Sequence, residues 1–232
     1  MSFAPPPSPP PPPPPSPPAR GNSDAPYPAR LSVDYPEQLS RLTTAFRIIL
    51  VIPIAIVAGI LVGGGTRQVQ TSDGEWVTVT SASITAGLFV ATLLMILFRK
   101  RYPRWWFDFG LELSRFGARI GAYMTLLTDR YPSTEDEQTV HLDIDYPDAE
   151  RDLMRGMPLV KWFLAIPHYI VLAVLGIGAF FVVIVAWFAI VFTGSYPRSL
   201  FDFVVGVGRW AVRVHAYAFL LTTDRYPPFS MD

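Results

Sequence analysis

Hydrophobic and polar positions along this chain follow three different periods in succession, and the succession occurs twice. Residues 30–34 and 140–145 alternate, with Leu31 and Val33 set against Ser32 and Asp34, and Leu142 and Ile144 against His141 and Asp143. A period of two predicts a short strand in each copy. The two strands are expected to pair, although such a ribbon is marginal unless packed on something. Apolar sequence comes next. Residues 42–64 are long enough to span about 30 Å of hydrocarbon; the polar loop 66–81 and a shorter apolar segment, 84–98, follow, ending at Arg99, Lys100 and Arg101. In the second copy 159–193 is almost unbroken. One helix of that length would run about 52 Å, too long for a single crossing. With Gly176 and Gly178 near its middle, it reads as two short helices joined by a tight turn. The third part is amphipathic. Within 104–127 the charged residues Arg104, Asp108, Glu112, Arg115 and Arg119 form one stripe of a helix, and Trp105, Trp106, Phe109, Leu113, Phe116 and Ile120 crowd the remainder. The second copy repeats the stripe as Arg198, Asp202, Arg209, Arg213 and Tyr217. Each such charge would cost about 2.5–3.5 kcal/mol at mid-bilayer, so these helices are expected to lie in the interface plane.

Ordered motif matches establish the duplication. Asp34-Tyr35-Pro36 matches Asp145-Tyr146-Pro147, and Ile52-Pro53 matches Ile166-Pro167. Tyr102-Pro103-Arg104 pairs with Tyr196-Pro197-Arg198, and Phe107-Asp108-Phe109 with Phe201-Asp202-Phe203. Both copies close on Asp-Arg-Tyr-Pro, at Asp129 and at Asp224. The boundaries fall at 29–135 and 136–232, behind a tail of residues 1–28 whose positions 5–18 are Pro apart from Ser8 and Ser16. That tail is expected to be an extended polyproline II rod acting as a spacer, with docking into an aromatic groove as the alternative.

Composition sharpens the class. The chain is 50% hydrophobic and only 16% charged, with a mean hydropathy of +0.30, against about 25% charged in soluble domains. Its formal net charge of +0 excludes the basic excess of a nucleic-acid binder. The absence of cysteine excludes disulfides, thiolate metal sites and a cysteine nucleophile. Basic residues flank both apolar regions (Arg41, Arg47, Arg99 and Lys100; Arg151, Arg155, Lys161 and Arg198), so both hairpins point the same way. The expected fold is therefore an α-helical polytopic membrane protein of two parallel repeats, each a short strand, a hydrophobic helical hairpin and an interfacial amphipathic helix. Both termini are placed in the cytoplasm, and parallel repeats disfavour the inverted-repeat transporter plan.

Few residues suggest chemistry. Arg115 and Arg119, with Arg209 and Arg213, form one-turn-apart pairs that can hold a lipid phosphate, oriented by Asp108 and Asp202. A self-neutralising polar face is the plainer reading of the same stripe. His168 follows Pro167 inside apolar sequence and is an intramembrane polar candidate, or simply a hydrogen-bonded histidine. His141, His168 and His215 have no metal-ligand spacing, and no nucleophile elbow or phosphate loop is present, so neither a metal nor another cofactor is expected. Gly59-x-x-x-Gly63 permits close helix packing and self-association, and Gly117-x-x-x-Gly121 repeats the pattern on the amphipathic helix. Seven Tyr-Pro steps read as punctuation at membrane-surface turns.

Taken in order, Asp-Tyr-Pro, Ala165-Ile166-Pro167-His168, Tyr-Pro-Arg, Phe-Asp-Phe and Thr-Asp-Arg-Tyr-Pro resemble an actinobacterial family of membrane proteins carrying a domain of unknown function. The first copy departs from the pattern, with Ile54 in place of the histidine. The resemblance implies a bacterial plasma-membrane location and no activity. The function expected is a non-enzymatic accessory or organising subunit with a membrane-protein partner. The alternative is an anionic-lipid-binding or small-solute transport protein using the paired Arg faces and the cleft between repeats.

Overall fold

The computed structural model describes residues 26–63, 65–81, 83–134, 136 and 138–232. The proline-rich rod and its docking reading lie outside the described residues. In chain order the elements are β1 (Ala29–Val33), α1 (Arg41–Ala45), α2 (Arg47–Leu50), α3 (Ile52–Val62), β2 (Gly65–Gln70), β3 (Trp76–Ser81) and α4 (Ile84–Leu94), which runs into a π-helical turn (Met95–Arg99). Then come α5 (Arg104–Met124), β4 (Val140–Ile144), α6 (Met157–Thr193) and α7 (Arg198–Ala218).

The polytopic expectation is corrected. Among the described residues one helix, α6, is long and apolar enough to cross a membrane. The first apolar stretch is broken into three short helices. Phe46 leaves helical geometry at φ −93° and ψ 9°, and a new helix starts at Ile52 with Pro53, which has no N–H to donate, in its first turn. Eleven residues of α3 span about 16 Å, half of the hydrocarbon thickness. The polar loop is a β-hairpin, paired from Gly65↔Ser81 to Gln70↔Trp76 and turning at Gly74 with φ +82°. The second hairpin does not exist either: α6 is a single helix of 37 residues. Gly176 and Gly178 pass through it because helical glycine costs only about 1 kcal/mol and neither adopts a left-handed φ. The ring of Phe203 occupies the room beside Gly178. The chain turns instead at Gly194, whose φ of +80° caps the helix. The orientation argument required two hairpins and falls with them.

The alternating segments do pair. β1 and β4 are antiparallel, with Leu31 opposite Leu142. Ala29, Val140, Leu142 and Ile144 are buried on the inner face, while Arg30, Ser32, His141 and Asp143 face outward. The packing is crosswise: β1 of the first copy lies on α7 of the second, and β4 of the second lies on α5 of the first. Apolar helices cover the other side of the α5–α7 pair. α6 runs antiparallel along α7, from the Trp162 indole donating to Ala218 O (3.1 Å) to Ala186 and Ile190 among Phe201, Val204 and Val205. α3 packs on α5 through Ile54, Ile120 and Tyr123. Outward, α6 presents Phe163, Ile166, Ile170, Val174, Ile177, Phe181, Val185, Phe188 and Phe192 at spacings of three and four, all exposed. Leu42, Ile49, Ile56 and Ile60 are likewise exposed on α1–α3.

The Asp-Tyr-Pro tyrosines bolt the copies together. Tyr35 Oη donates to Tyr196 O and Tyr146 Oη to Tyr102 O, each at 2.5 Å and each across the repeat boundary. Tyr35 meets Phe201 edge-on at 4.9 Å and Tyr146 meets Phe107 at 5.1 Å. The guanidiniums of Arg198 and Arg104 lie over the same two rings, at 4.5 and 4.7 Å. Tyr35→Phe and Tyr146→Phe are each expected to lose about 1 kcal/mol of stability, the net worth of one such hydrogen bond. Thermal unfolding of the two single variants should show near-equal decrements.

Candidate functional site

Two ion pairs, one per copy, fasten the apolar helices to the turns that follow α5 and α7. Lys161 on α6 is fully buried. Its Nζ lies 2.8 Å from Asp224 Oδ1, donates to Thr223 O at 2.7 Å, and stands 5.2 Å over the Tyr217 ring. Asp224 also accepts the Met154 N–H at 2.7 Å. In the first copy Arg47 reaches Asp129, whose carboxylate also takes the Ser40 N–H at 2.6 Å and the Thr43 hydroxyl at 3.3 Å. Nε and Nη1 of Arg47 have no hydrogen-bond partner, but the guanidinium stacks 4.0 Å over the Tyr123 ring. Leu126 and Leu221, at φ 65° and 57°, turn the chain out of each helix three residues before the aspartate. Sequence reasoning treated Arg47 and Lys161 as topology signals and Asp-Arg-Tyr-Pro as punctuation. The signal that finds the site is a basic residue five positions before each Ile-Pro step, matched in both copies by a carboxylate.

The arginines proposed for lipid phosphate hold main chain. Arg115 Nε donates to Leu142 O at 2.9 Å, and its other nitrogens reach Glu112 and Asp143. Arg209 Nε donates to Leu31 O at 3.1 Å, so equivalent residues bond the two facing strand positions. Arg119 donates to Ser133 O and Arg213 to Ser230 O. Asp108 and Asp202 pair backward with Arg104 and Arg198, at 3.4 and 3.3 Å, rather than with these four. His168 is buried; its Nδ1 accepts the Trp210 indole N–H at 3.0 Å and its ring stacks on Phe229 at 4.0 Å. The acceptor role of Nδ1 places the proton on Nε2, which has no partner. Gly59 and Gly63 are exposed at the end of α3.

The third feature lies between the copies. α5 and α7 run antiparallel, with Gly110 against Leu220 and Ser114 against His215. Ser114, Gly117, Ala118 and Gly121 on α5, and Gly208 and Ala211 on α7, are too small to fill the crossing. A cavity of about 620 Å³ remains, walled by Leu61 of α3, Leu88 and Phe89 of α4, Leu142 of the ribbon, and Val204 and Phe219. No Asp, Glu, Lys or Arg lines it among the described residues; its polar side chains are Thr85, Ser114, Thr125 and His215. The Ser114 hydroxyl donates to Gly110 O at 2.7 Å and lies 3.4 Å from His215 Nε2. Burial pulls the His215 pKa down to about 4, so the imidazole is neutral at neutral pH.

Neither a curated protein nor a solved structure matches this chain. One family profile does, the domain of unknown function DUF4389, over residues 76–134 and 157–231. The first segment carries β3, α4, α5 and the Asp129 turn; the second carries α6, α7 and the Asp224 turn, so the matched sequence includes both aspartates and most of the cavity wall. With more than half of its length matched, the chain belongs to the DUF4389 family.

Proposed function

We propose that this protein is a non-enzymatic lipid-binding protein seated on one face of a membrane, which takes the apolar chain of a lipid into the cavity between its two copies. The observation that carries the reading is the cavity itself. Its size lies within the range of about 300–1,000 Å³ usual for small-ligand sites, and its wall is almost wholly apolar. α3, α4 and α6, whose outer faces expose the apolar stripes, contribute part of that wall, so a chain leaving the bilayer stays on apolar surface.

Packing favours α6 lying along the membrane rather than across it. α7 meets β1 at Gly208, and meets α6 through Phe203, Trp210 and Tyr217 on its opposite face. An upright α6 would carry α7 and the ribbon into hydrocarbon, together with Arg30 and Asp143, whose side chains are 48% and 64% exposed. At about 2.5–3.5 kcal/mol per charge that arrangement is unfavourable. An in-plane α6 buries its aliphatic stripe and leaves the ribbon in water. The resemblance to actinobacterial membrane proteins supports the bacterial plasma membrane as the bilayer concerned.

Native mass spectrometry of the full chain, extracted in mild detergent, tests the cavity. One retained lipid per chain is expected, lost in Gly121→Leu. A Cβ on Gly121 meets nothing within 4 Å, so the added side chain starts in open space at the cavity wall. Equal lipid retention by the two proteins would overturn the reading. A second reading, an organising subunit, is favoured by the length of α6: its 37 residues run about 55 Å, more than contact with α7 alone requires. Stoichiometric membrane subunits in the same spectra would support it.

A further inference from the structure

The cavity is asymmetric in a way that the duplication makes legible. Helix α5 begins at Arg104 and α7 at its equivalent Arg198, which makes Gly208 the counterpart of Ser114 and Gly121 the counterpart of His215. All four line the cavity. The near-twofold relation between the copies therefore exchanges Ser114–His215 with Gly208–Gly121. One end of the α5–α7 crossing carries a hydroxyl and an imidazole; the symmetric end carries two glycines, one of which, Gly121, opens onto free space.

We propose that the cavity binds an uncharged single-chain lipid bearing one hydroxyl, with that hydroxyl hydrogen-bonded at Ser114 and His215 and its chain running toward Gly121 and Gly208. This rests on the reading of the cavity as a lipid-chain site and names the class of lipid. Three observations carry it. Among the described residues the wall has no cation to pair with a carboxylate or phosphate and no anion to pair with an amine. The arginines that serve anionic lipids elsewhere are held by Leu31, Leu142, Ser133 and Ser230 carbonyls. Thr125 and Thr85 stand singly, bonded to Gly121 O at 2.8 Å and to Ser83 at 3.1 Å, whereas Ser114 and His215 meet from two different helices at 3.4 Å. That leaves the Ser114–His215 couple as the polar point of the cavity. Because the Ser114 proton is committed to Gly110 O, the 3.4 Å contact is donated by His215 Nε2–H, which leaves a lone pair on the Ser114 oxygen and the imidazole Nδ1 as acceptors. A lipid hydroxyl supplies the donor that this set lacks. A bare alkane leaves it unmatched, and a carboxylate brings a charge that nothing here compensates.

The test compares radiolabelled hexadecanol, hexadecane and palmitate for binding to the full-length protein in detergent. Hexadecanol is expected to bind ~5- to 10-fold more tightly than hexadecane, the worth of about one net hydrogen bond, and palmitate to bind most weakly. The double variant Ser114→Ala/His215→Leu should abolish the ratio between hexadecanol and hexadecane, which a merely structural role for the pair would not do. His215→Gln, which keeps a donor and an acceptor, should retain the preference. Equal binding of alcohol and alkane, preferred binding of palmitate, or an undiminished alcohol preference in the double variant would overturn the proposal while leaving the cavity reading intact. The cavity reading fails separately, if Gly121→Leu leaves binding of all three probes unchanged.

Discussion

Asp224→Ala is expected to destabilise the protein by about 3–5 kcal/mol, the usual cost of leaving one member of a buried ion pair alone. Lys161 is fully buried, so its ammonium cannot reach water once the carboxylate is gone; only Thr223 O and the face of Tyr217 remain to it. The Met154 N–H loses its acceptor at the same time. Adding Lys161→Met should restore most of the loss, because a thioether of similar length needs no counter-charge. Asp129→Ala is expected to act in the same direction but less strongly. The Asp129 side chain is 27% exposed against 13% for Asp224, which admits water, and Arg47 keeps its stacking on Tyr123. Unfolding in mixed detergent, followed by near-ultraviolet dichroism, measures all four proteins. A single variant no less stable than the double would show that the pair contributes nothing.

The second large effect concerns the membrane. Ile170→Asp/Ile177→Asp should reduce binding to phospholipid vesicles by about a hundredfold. Both positions are exposed on the outward stripe of α6, at 62% each, so neither aspartate disturbs the core. A carboxylate at full bilayer depth costs about 2.5–3.5 kcal/mol. An in-plane helix is immersed over part of its circumference, and half that cost, taken twice, is about 3 kcal/mol or two decades in partitioning. Ser32→Glu, which adds a charge on the outer face of the ribbon, should float with vesicles as well as the parent chain does. Equal flotation of the stripe variant and the parent would remove α6 as the membrane-seated element.

What could be read from the sequence was what repeats locally. Alternation at 30–34 and 140–145 and the charged stripe from Arg104 to Arg119 are properties of consecutive residues, and they led directly to β1, β4 and α5. The tyrosines could not be read this way. Tyr35 donates to a main-chain carbonyl 161 residues away, and a carbonyl acceptor leaves no trace in residue identity. The same holds for Arg115 and Arg209, whose spacing suggested a phosphate clamp but whose partners are strand carbonyls. Gly176 and Gly178 misled for a different reason. Glycine permits a turn without requiring one, and apolar side chains on both sides keep the helix intact along α7. The Asp129 and Asp224 sites lay between these cases, since both partners are visible in the sequence but only the duplication couples them. The cavity depended on small residues at 114, 117, 121, 208 and 211 facing one another, a relation that exists only once α5 and α7 have crossed.

The crosswise packing of the strands sets a timetable for synthesis. Arg209 bonds the carbonyl of Leu31, 178 residues earlier in the chain. At about 5–20 residues per second, β1 waits roughly 10–40 s after leaving the ribosome before α7 exists to receive it. Through that interval the apolar helices of the first copy have been made but lack the second copy that completes their packing. A nascent chain in this state is a substrate for chaperones, unless its α1–α3 surface reaches a bilayer first. On the proposed membrane-seated reading, delivery during translation shortens that exposure, and insertion of a finished protein does not.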